Sequence, residues 1–269
     1  MKNIHLVINI LLTSFLCSAE HLIVVEKMDV LHKFVPFDAE TDSFVREIFK
    51  DWESETFEVF NTIKNPEGIA IDLGAWIGTT SIWLSKHFDH VIAVEADRES
   101  LRCLEQNLAA SECGNVTICP RPLAREERMV VFGPKGSVLN QSISCIQETM
   151  RNENDYLVES ITFNSLISGY VGEDATQKIS FIKCDIEGGE EEILEDLLLF
   201  AFTHQCKVYL SFHVGWWKKK DVQRFKPLFA LFRTNEFKGD ITAYIQSNPF
   251  GSLLLTPRKH GVWRKARRS

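Results

Sequence analysis

The 269-residue chain lacks several signatures that assign proteins to familiar binding classes. None of its seven cysteines belongs to a CxxC pair, which argues against a zinc knuckle. It has no GxxxxGKS or GxxxxGKT sequence, so a P-loop is excluded at the level of the usual signature. No internal repeat or long low-complexity tract is present, and a net charge of -7 gives no general reason to expect nucleic-acid binding.

The composition of the chain is typical of a globular protein. Hydrophobic residues make up 45% and charged residues 25%, which suits a substantial core. The length fits one large domain or two small ones. The cysteines are scattered singly, which is the pattern of buried thiols in a core of this size.

The N-terminus departs from this average composition. One lysine precedes an apolar run from Leu6 to Cys17, and small residues follow up to Ala19. The run is too short to span a bilayer, and the pattern predicts a secretory signal peptide over residues 1–19. Any membrane contact would then pass through the N-terminus, and the protein would enter the secretory pathway. The alternative is a buried N-terminal strand or helix in a cytoplasmic protein.

Hydrophobic periodicity divides the remaining chain into a helical lead-in (20–64), a main domain (65–257) and a basic, solvated tail (258–269). Strands and helices alternate through most of the main domain, which predicts an α/β fold with a mostly parallel sheet and helices on both faces. The predicted strands are 69–73, 91–95, 116–119, 129–132, 160–163, 179–184 and 208–212. The predicted helices are 79–87, 98–110, 190–200 and 219–232. A closing antiparallel strand pair is predicted over 241–246 and 252–256.

The first candidate site is a strand that ends near an acid and runs into two glycines, since residues 71–78 read IDLGAWIG. Glycine after a strand lets the backbone turn sharply or approach a ligand closely. Glu95 ends the next strand, where a carboxylate can bind two ribose hydroxyls. The turn lacks the GxGxxG spacing of dinucleotide folds, and Asp72 would repel a pyrophosphate but suits an ammonium group. These features favour S-adenosylmethionine over NAD. The residues predicted to bind this cofactor are Asp72, Gly74, Ala75, Gly78 and Glu95.

The second candidate site is another strand end, where residues 181–190 read FIKCDIEGGE. Alternation along the strand places Lys183 and Asp185 on one face, and Glu187 lies beyond the tip. Charges crowded at a strand tip need partners, and a ligand cleft at that edge would provide them. His213 follows a later strand and would lie at the same edge, although a histidine satisfied by backbone groups is the alternative. The predicted catalytic residues are Asp185, His213, Glu187 and Lys183.

Together these motifs resemble the FkbM family of S-adenosylmethionine-dependent methyltransferases. The resemblance covers residues 52–213 and implies a class I methyltransferase fold of the Rossmann-like type. It further implies methylation of an oxygen, often on sugars or glycosylated products. Two positions depart from the family pattern: Trp76 stands where asparagine is frequent, and Asn164 where aspartate is frequent.

We therefore expect in-line attack of an acceptor hydroxyl, on a small molecule or a glycan, with His213, Asp185 or Glu187 as the base. A divalent metal at these acids is an alternative that no ligand spacing in the sequence requires. Two other functions remain open at this point: an NAD-linked sugar enzyme that uses Glu95, and a noncatalytic glycan-binding module on the same fold. The sequence does not distinguish a monomer from an oligomer.

Overall fold

The computed structural model describes residues 22–134, 144–151 and 153–259. The predicted signal peptide, and the predicted basic tail apart from its first two residues, lie outside the described residues. Within the described residues, no helix combines the length and the apolar character that a membrane crossing requires.

The described residues form twelve strands and eight α-helices, together with short π and 3-10 segments. The strands are β1 (Ile23–Lys27), β2 (Val30–Phe34), β3 (Asn65–Leu73), β4 (Phe88–Val94), β5 (Val116–Cys119), β6 (Met129–Pro134), β7 (Ser144–Gln147), β8 (Tyr156–Glu159), β9 (Ile179–Cys184), β10 (Lys207–His213), β11 (Phe232–Arg233) and β12 (Phe250–Pro257). The helices are α1 (Ala39–Ser43), α2 (Ser54–Asn61), α3 (Thr79–Ser85), α4 (Arg98–Ala110), α5 (Phe163–Leu166), α6 (Glu190–Thr203), α7 (Lys226–Phe229) and α8 (Ile241–Ser247).

Seven strands form the central sheet in the order β11-β12-β10-β9-β3-β4-β5. The five strands from β10 to β5 run parallel to one another, whereas β12 runs antiparallel to both β10 and β11. The strand order reverses between β3 and β9, which is where open α/β sheets leave a crevice at the carboxyl ends of the strands. This arrangement confirms the predicted class I methyltransferase fold with antiparallel strands near the C-terminus.

The C-terminal strands nevertheless differ in detail from the prediction. β12 pairs with β10 and β11, whereas the predicted strand 241–246 lies in helix α8. Asp240 accepts hydrogen bonds from two backbone N–H groups of the first turn, and Ile241 and Ile245 are buried one helical turn apart. The predicted helix 219–232 is divided into a 3-10 segment, α7 and the start of β11.

The lead-in predicted as helical over residues 20–64 contains helices α1 and α2, and the antiparallel hairpin β1–β2 precedes them. Met28 and Asp29 form the hairpin turn, both with positive φ (49° and 63°), which suits the twist of a two-residue hairpin. The Val35 N–H donates to Asn107 Oδ1 at 2.8 Å, so the end of the hairpin is attached to α4. This attachment positions the segment that follows the hairpin near the carboxyl edge of the sheet.

A separate three-stranded antiparallel sheet, in the order β7-β6-β8, covers the loop after β4. The Tyr156 hydroxyl donates to the Ala96 carbonyl, and Ser144 Oγ donates to Asp97 Oδ2 at 2.8 Å. The predicted strand 160–163 is not formed, because β8 ends just before it and α5 begins within it. The small sheet therefore walls the β4 side of the carboxyl edge.

The two faces of the central sheet are each covered by a hydrophobic core. Along β3, Ile71 and Leu73 belong to one core and Ala70 to the other, because successive strand residues point to opposite faces. The carboxyl edge between the two cores is therefore the place where ligands can enter. Five scattered cysteines are buried thiols, as the sequence predicted: Cys103, Cys113, Cys119, Cys184 and Cys206.

Candidate functional site

Gly74 brings the carboxyl ends of β3 and β9 together. Its φ is +82°, and a Cβ added here would lie 1.8 Å from the Asp185 carbonyl oxygen. The Asp185 N–H donates to the Leu73 carbonyl at 3.0 Å just beneath this contact. A side chain at Gly74 would therefore push apart the two acidic strand ends that the sequence singled out.

Ala75 and Gly78 stabilise this turn from within the protein. Ala75 is buried, and its N–H donates to the Val94 carbonyl at 3.0 Å. Gly78 has a φ of +94°, and an added Cβ would meet the Leu104 side chain at 3.0 Å. Neither residue lines either of the two cavities described below. Both residues pack the turn, and the cofactor contacts predicted for Ala75 and Gly78 stay predictions.

Asp72 is fully buried and is held by partners on two sides. Thr80 Oγ1 and Ser81 Oγ each donate to Asp72 Oδ2 at 2.6 Å. Lys183 lies opposite Asp72 in the β3–β9 register, with its Nζ 3.2 Å from Asp72 Oδ1. Burial lowers the pKa of Lys183, but the charges of Asp72 and Asp185 outweigh it and raise the pKa. Asp72 lines neither cavity and supports Lys183 and α3, and its predicted contact with the cofactor stays a prediction.

Glu95, which follows the end of β4, accepts hydrogen bonds from three backbone N–H groups. The Trp76 N–H donates to Oε2 at 2.7 Å, and the Ala96 and Asp97 N–H groups donate to Oε1 at 2.8 Å each. Burial raises the pKa of Glu95 to about 7, against the effect of these hydrogen bonds. The carboxylate is held in one orientation and borders a cavity, so it suits binding of a ligand hydroxyl.

Asp185, Glu187 and His213 converge at the carboxyl ends of β9 and β10. One ligand atom from each residue lies within 4.8 Å of the other two. His213 Nε2 is 3.5 Å from Glu187 Oε2 and 3.8 Å from Asp185 Oδ1. Lys183 joins the group, with its Nζ 3.8 Å from Asp185 Oδ2. All four predicted catalytic residues are therefore brought to one place.

Glu190 orients the imidazole of His213. It is fully buried, and its Oε1 lies 3.0 Å from His213 Nδ1. The same oxygen accepts the Gly188 N–H at 3.1 Å, and Oε2 accepts Trp217 Nε1–H at 3.0 Å. A proton on Nδ1, donated to Glu190, leaves the Nε2 lone pair directed at the two carboxylates.

The environment shifts the pKa values of two residues in this cluster. Burial raises the pKa of Glu187 to about 7, and the charges of Asp185 and Glu190 add to the effect while His213 opposes it. Burial lowers the pKa of His213, but the hydrogen bond and charge of Glu190 outweigh it, and the pKa is raised. The pKa of Glu187 therefore lies closer to neutral pH than that of an isolated carboxylate.

Two cavities meet at this cluster. The β4-side cavity has a volume of about 360 Å³, and among its lining residues are Glu95, Ala96, Leu123, Phe132, Ile146 and Trp216. The β10-side cavity has a volume of about 430 Å³, and among its lining residues are Asp38, Phe44, Trp52, Glu53, Lys183 and His213. The wall that the cavities share is formed by Gly74, Trp76, Asp185 and Glu187. A group bound in one cavity can thus face a group bound in the other.

Trp76 connects the shared wall to the N-terminal segment. Its φ of +49° lies in the left-handed region, which asparagine adopts more readily than tryptophan. The ring packs edge-on against Phe44 at 5.1 Å between centroids, and Phe44 packs in the same way against Trp52 at 5.6 Å. Trp76, which stands where the family frequently has asparagine, therefore adds an aromatic side chain to the shared wall. The second departure, Asn164, is exposed in α5 and lines neither cavity.

Two parts of this site were missed by the sequence reasoning. Acids in a first helical turn are common, so Glu190 gave no signal of its own beyond its place in the FIKCDIEGGE motif. The N-terminal residues of the β10-side cavity, such as Asp38 and Glu53, are far from the motifs in sequence. Tertiary contacts, among them the attachment of the hairpin to α4, bring them to the edge of the sheet.

Comparison with known proteins gives one family and a set of distant structures. Residues 72–250 match the family model described as the methyltransferase FkbM domain. No curated protein sequence matches the chain significantly. A methyltransferase FkbM structure from Methylobacillus flagellatus is 14% identical with a TM-score of 0.45, covering 82% of this chain. The chain spans 55% of the length of that protein.

Two further solved structures are similar at the same level. An rRNA methylase from Streptococcus thermophilus is 11% identical with a TM-score of 0.45, covering 77% of this chain and 96% of its own. A Streptococcus mutans protein solved in complex with SAH is 13% identical with a TM-score of 0.43, covering 76% of this chain and 96% of its own.

Proposed function

The chain belongs to the FkbM family of S-adenosylmethionine-dependent methyltransferases, and from this premise we propose that it methylates a hydroxyl oxygen of a sugar, glycan or glycosylated metabolite. The observation that supports this proposal most directly is the cluster of Asp185, Glu187 and His213 on the wall between two cavities. The family assignment replaces the NAD-linked alternative. The cluster also argues against a noncatalytic module, because such a module has no need of convergent ionisable groups.

The β4-side cavity fits the cofactor of the family. Glu95 has three backbone donors that fix its carboxylate, which leaves it able to accept ribose hydroxyls. Leu123, Phe132 and Ile146 provide apolar surface for a base. Gly74 lines the cavity at the shared wall. When bound, S-adenosylmethionine supplies an electrophilic methyl group, and the electron pair of the broken S–C bond stays on sulfur as the new O–C bond forms.

The β10-side cavity fits a hydroxylated acceptor. Aromatic rings at Phe44, Trp52 and Trp76 provide flat apolar surfaces, and acids such as Glu53 accept hydrogen bonds from hydroxyls. An acceptor held there has its reacting hydroxyl beside the cluster on the shared wall. Holding two reactants in line is worth up to ~7–11 kcal/mol in ideal cases. Proton removal by Asp185, Glu187 or His213 adds about 10²- to 10⁴-fold.

A labelled-methyl screen tests this proposal. The protein is incubated with methyl-labelled S-adenosylmethionine and a panel of saccharides and small hydroxylated metabolites. We expect the label in at least one acceptor as a methyl ether, with one SAH released for each methyl transferred. Matched reactions without acceptor measure the background of cofactor hydrolysis. Label found on nitrogen or carbon, or no transfer by a protein that binds SAH, would contradict methylation of a hydroxyl.

A further inference from the structure

We propose that Asp185, Glu187 and His213 bind a divalent metal cation of the kind that accepts mixed nitrogen and oxygen ligands, such as Mn²⁺ or Zn²⁺. We also propose that this cation holds the acceptor hydroxyl, a second step that rests on the proposed function. The three residues offer one imidazole nitrogen and two carboxylates around a single point. This is a ligand set that first-row divalent metals accept.

The position of Glu190 behind His213 is the first argument for this site. Histidine ligands of metals commonly donate their other ring N–H to a carboxylate, which fixes the tautomer and the ring orientation. Glu190 is fully buried and lies 3.0 Å from His213 Nδ1. Its remaining capacity is taken by the N–H groups of Gly188 and Trp217, so its own position is fixed as well. The Nε2 lone pair is thus oriented before any ligand arrives.

The spacing of the ligand atoms is the second argument. His213 Nε2 lies 3.5 Å from Glu187 Oε2 and 3.8 Å from Asp185 Oδ1, which is longer than a normal N–H···O hydrogen bond. Two ligands that each lie ~2.1 Å from one cation are roughly 3.0–3.5 Å apart, so a small contraction completes the site.

The buried oxygen of Glu187 is the third argument. Its Oε2 atom is buried and makes no hydrogen bond among the described residues. A buried carboxylate oxygen without a partner is costly, and oxygens of this kind point to an absent ion or water. This oxygen is the one that faces His213 Nε2, so the unsatisfied group is directed at the centre of the proposed site.

The charge of the β10-side cavity favours a cation. Its lining includes the acids Asp38, Glu40 and Glu53 in addition to the cluster. Among the described residues of this lining, Lys183 is the only lysine or arginine, and its Nζ already contacts buried Asp72 and donates to the Gly74 carbonyl at 2.9 Å. A concave surface with this excess of negative charge raises the local concentration of cations.

A bound cation would affect both the deprotonation and the position of the acceptor hydroxyl. A hydroxyl coordinated to a divalent metal loses its proton more easily, because the metal stabilises the alkoxide. His213 would then act as a ligand, and the proton would leave to water or to a free carboxylate oxygen. The cation would also place the reacting oxygen at the shared wall, opposite the β4-side cavity.

Direct metal titration tests the site without relying on turnover. The metal-free protein is titrated with Mn²⁺, and free Mn²⁺ is measured by its EPR signal; Zn²⁺ is then added as a competitor. We expect one Mn²⁺ per chain, displaced by Zn²⁺, with affinity at least ~10-fold lower in Asp185→Asn and in Glu187→Gln. Glu40→Gln is the matched control, because it removes the same charge from the same cavity without touching the cluster. SAH binding by each variant shows that it is folded.

The outcomes separate this proposal from the proposed function. A wild type that binds neither metal at millimolar concentration, or cluster variants that bind as tightly as Glu40→Gln, would overturn the metal site. Full methyl transfer in EDTA by a metal-free protein would overturn the role of the cation while leaving the proposed function intact. Metal binding that is lost in the cluster variants, together with no transfer to any hydroxyl, would support the site and count against the proposed function.

Discussion

Single side chains at the carboxyl edge act through the partners that orient them. Glu190 touches neither cavity directly, yet it decides which nitrogen of His213 faces the cluster. Asp72 is similar, since its buried carboxylate holds Lys183 beside Asp185. The cavity-lining residues Glu95, Asp185 and His213 therefore depend on a second set of residues that line neither cavity.

At this scale Glu95 should determine cofactor affinity. Glu95→Gln removes a charged acceptor of ribose hydroxyls, so we expect SAH to bind roughly 10-fold more weakly or worse. Calorimetric titration with SAH measures the change, and Glu99→Gln, an exposed acid in the first turn of α4, is the matched control. Equal SAH affinity in the Glu95→Gln variant and the wild type would show that this carboxylate does not bind the cofactor.

Residue identities at strand ends could be predicted from the sequence, because a parallel sheet brings the carboxyl ends of its strands to one edge. Glu95, Lys183, Asp185, Glu187 and His213 were found in this way. The burial of the Asp72 side chain could not be predicted. Asp72 also lies near the end of a strand, but its carboxylate is beneath the turn, where it accepts hydrogen bonds from two hydroxyls of α3. The hydrogen-bond partners of a strand-end acid depend on helix packing, which the motif does not encode.

At the scale of elements, the hairpin β1–β2 positions the N-terminal wall of the site. Lys27 Nζ donates to the carbonyls of Phe49 at 3.0 Å and Lys50 at 3.1 Å, which ties the hairpin to the residues just before α2. His32 lies 3.1 Å from the Thr79 carbonyl through its Nε2, which ties the hairpin to α3. The hairpin therefore supports the N-terminal segment that lines the β10-side cavity.

His32 should make the docking of the hairpin sensitive to acid. Burial lowers the pKa of His32 to about 4, nearby Lys27 and Lys86 act in the same direction, and hydrogen bonds to two backbone carbonyls oppose it. The unfolded chain, with an ordinary histidine pKa near 6.5, then binds the proton more readily than the folded one. The free energy of unfolding should therefore fall by about 3 kcal/mol as the pH drops from 6.5 to below 4.

Urea unfolding of the wild type and of His32→Gln across this pH range measures the effect. The difference between the two curves isolates His32 from Glu95 and Glu187, whose raised pKa values stabilise the fold at low pH instead. We expect the free energy of unfolding to depend less on pH between 4 and 6.5 in the variant than in the wild type. Parallel curves for the two proteins would rule out a neutral, buried His32 as the cause.

Some elements could be predicted to the residue. Helix 98–110 and strands 116–119 and 179–184 have the predicted bounds, because Asp97 caps the helix and short apolar runs mark the strands. The hairpin was missed because its strands are only five residues long and Met28-Asp29 is not the usual Asn-Gly turn. Helix α8 was mistaken for a strand because its short apolar pattern fits the periodicity of a helix as well as that of a strand.

At the scale of the whole molecule, the reactive edge is separated from the structural core. Two hydrophobic cores cover the faces of the sheet, and the ionisable groups of the site lie along the crevice where the strand order reverses. The small sheet β7-β6-β8 walls one side of that crevice, and the N-terminal segment walls the other. The lining of the crevice therefore combines residues of these two walls with the charged strand ends.

The central claim is that donor and acceptor occupy different cavities and meet at Asp185. The most direct test is a single-turnover measurement with Asp185→Asn at saturating cofactor, paired with SAH titration of the same variant. We expect SAH affinity within about twofold of the wild type and a methyl-transfer rate lower by roughly 10²- to 10⁴-fold. A variant that transfers methyl at the wild-type rate would contradict it, because the wall between the two cavities would then have no part in the reaction.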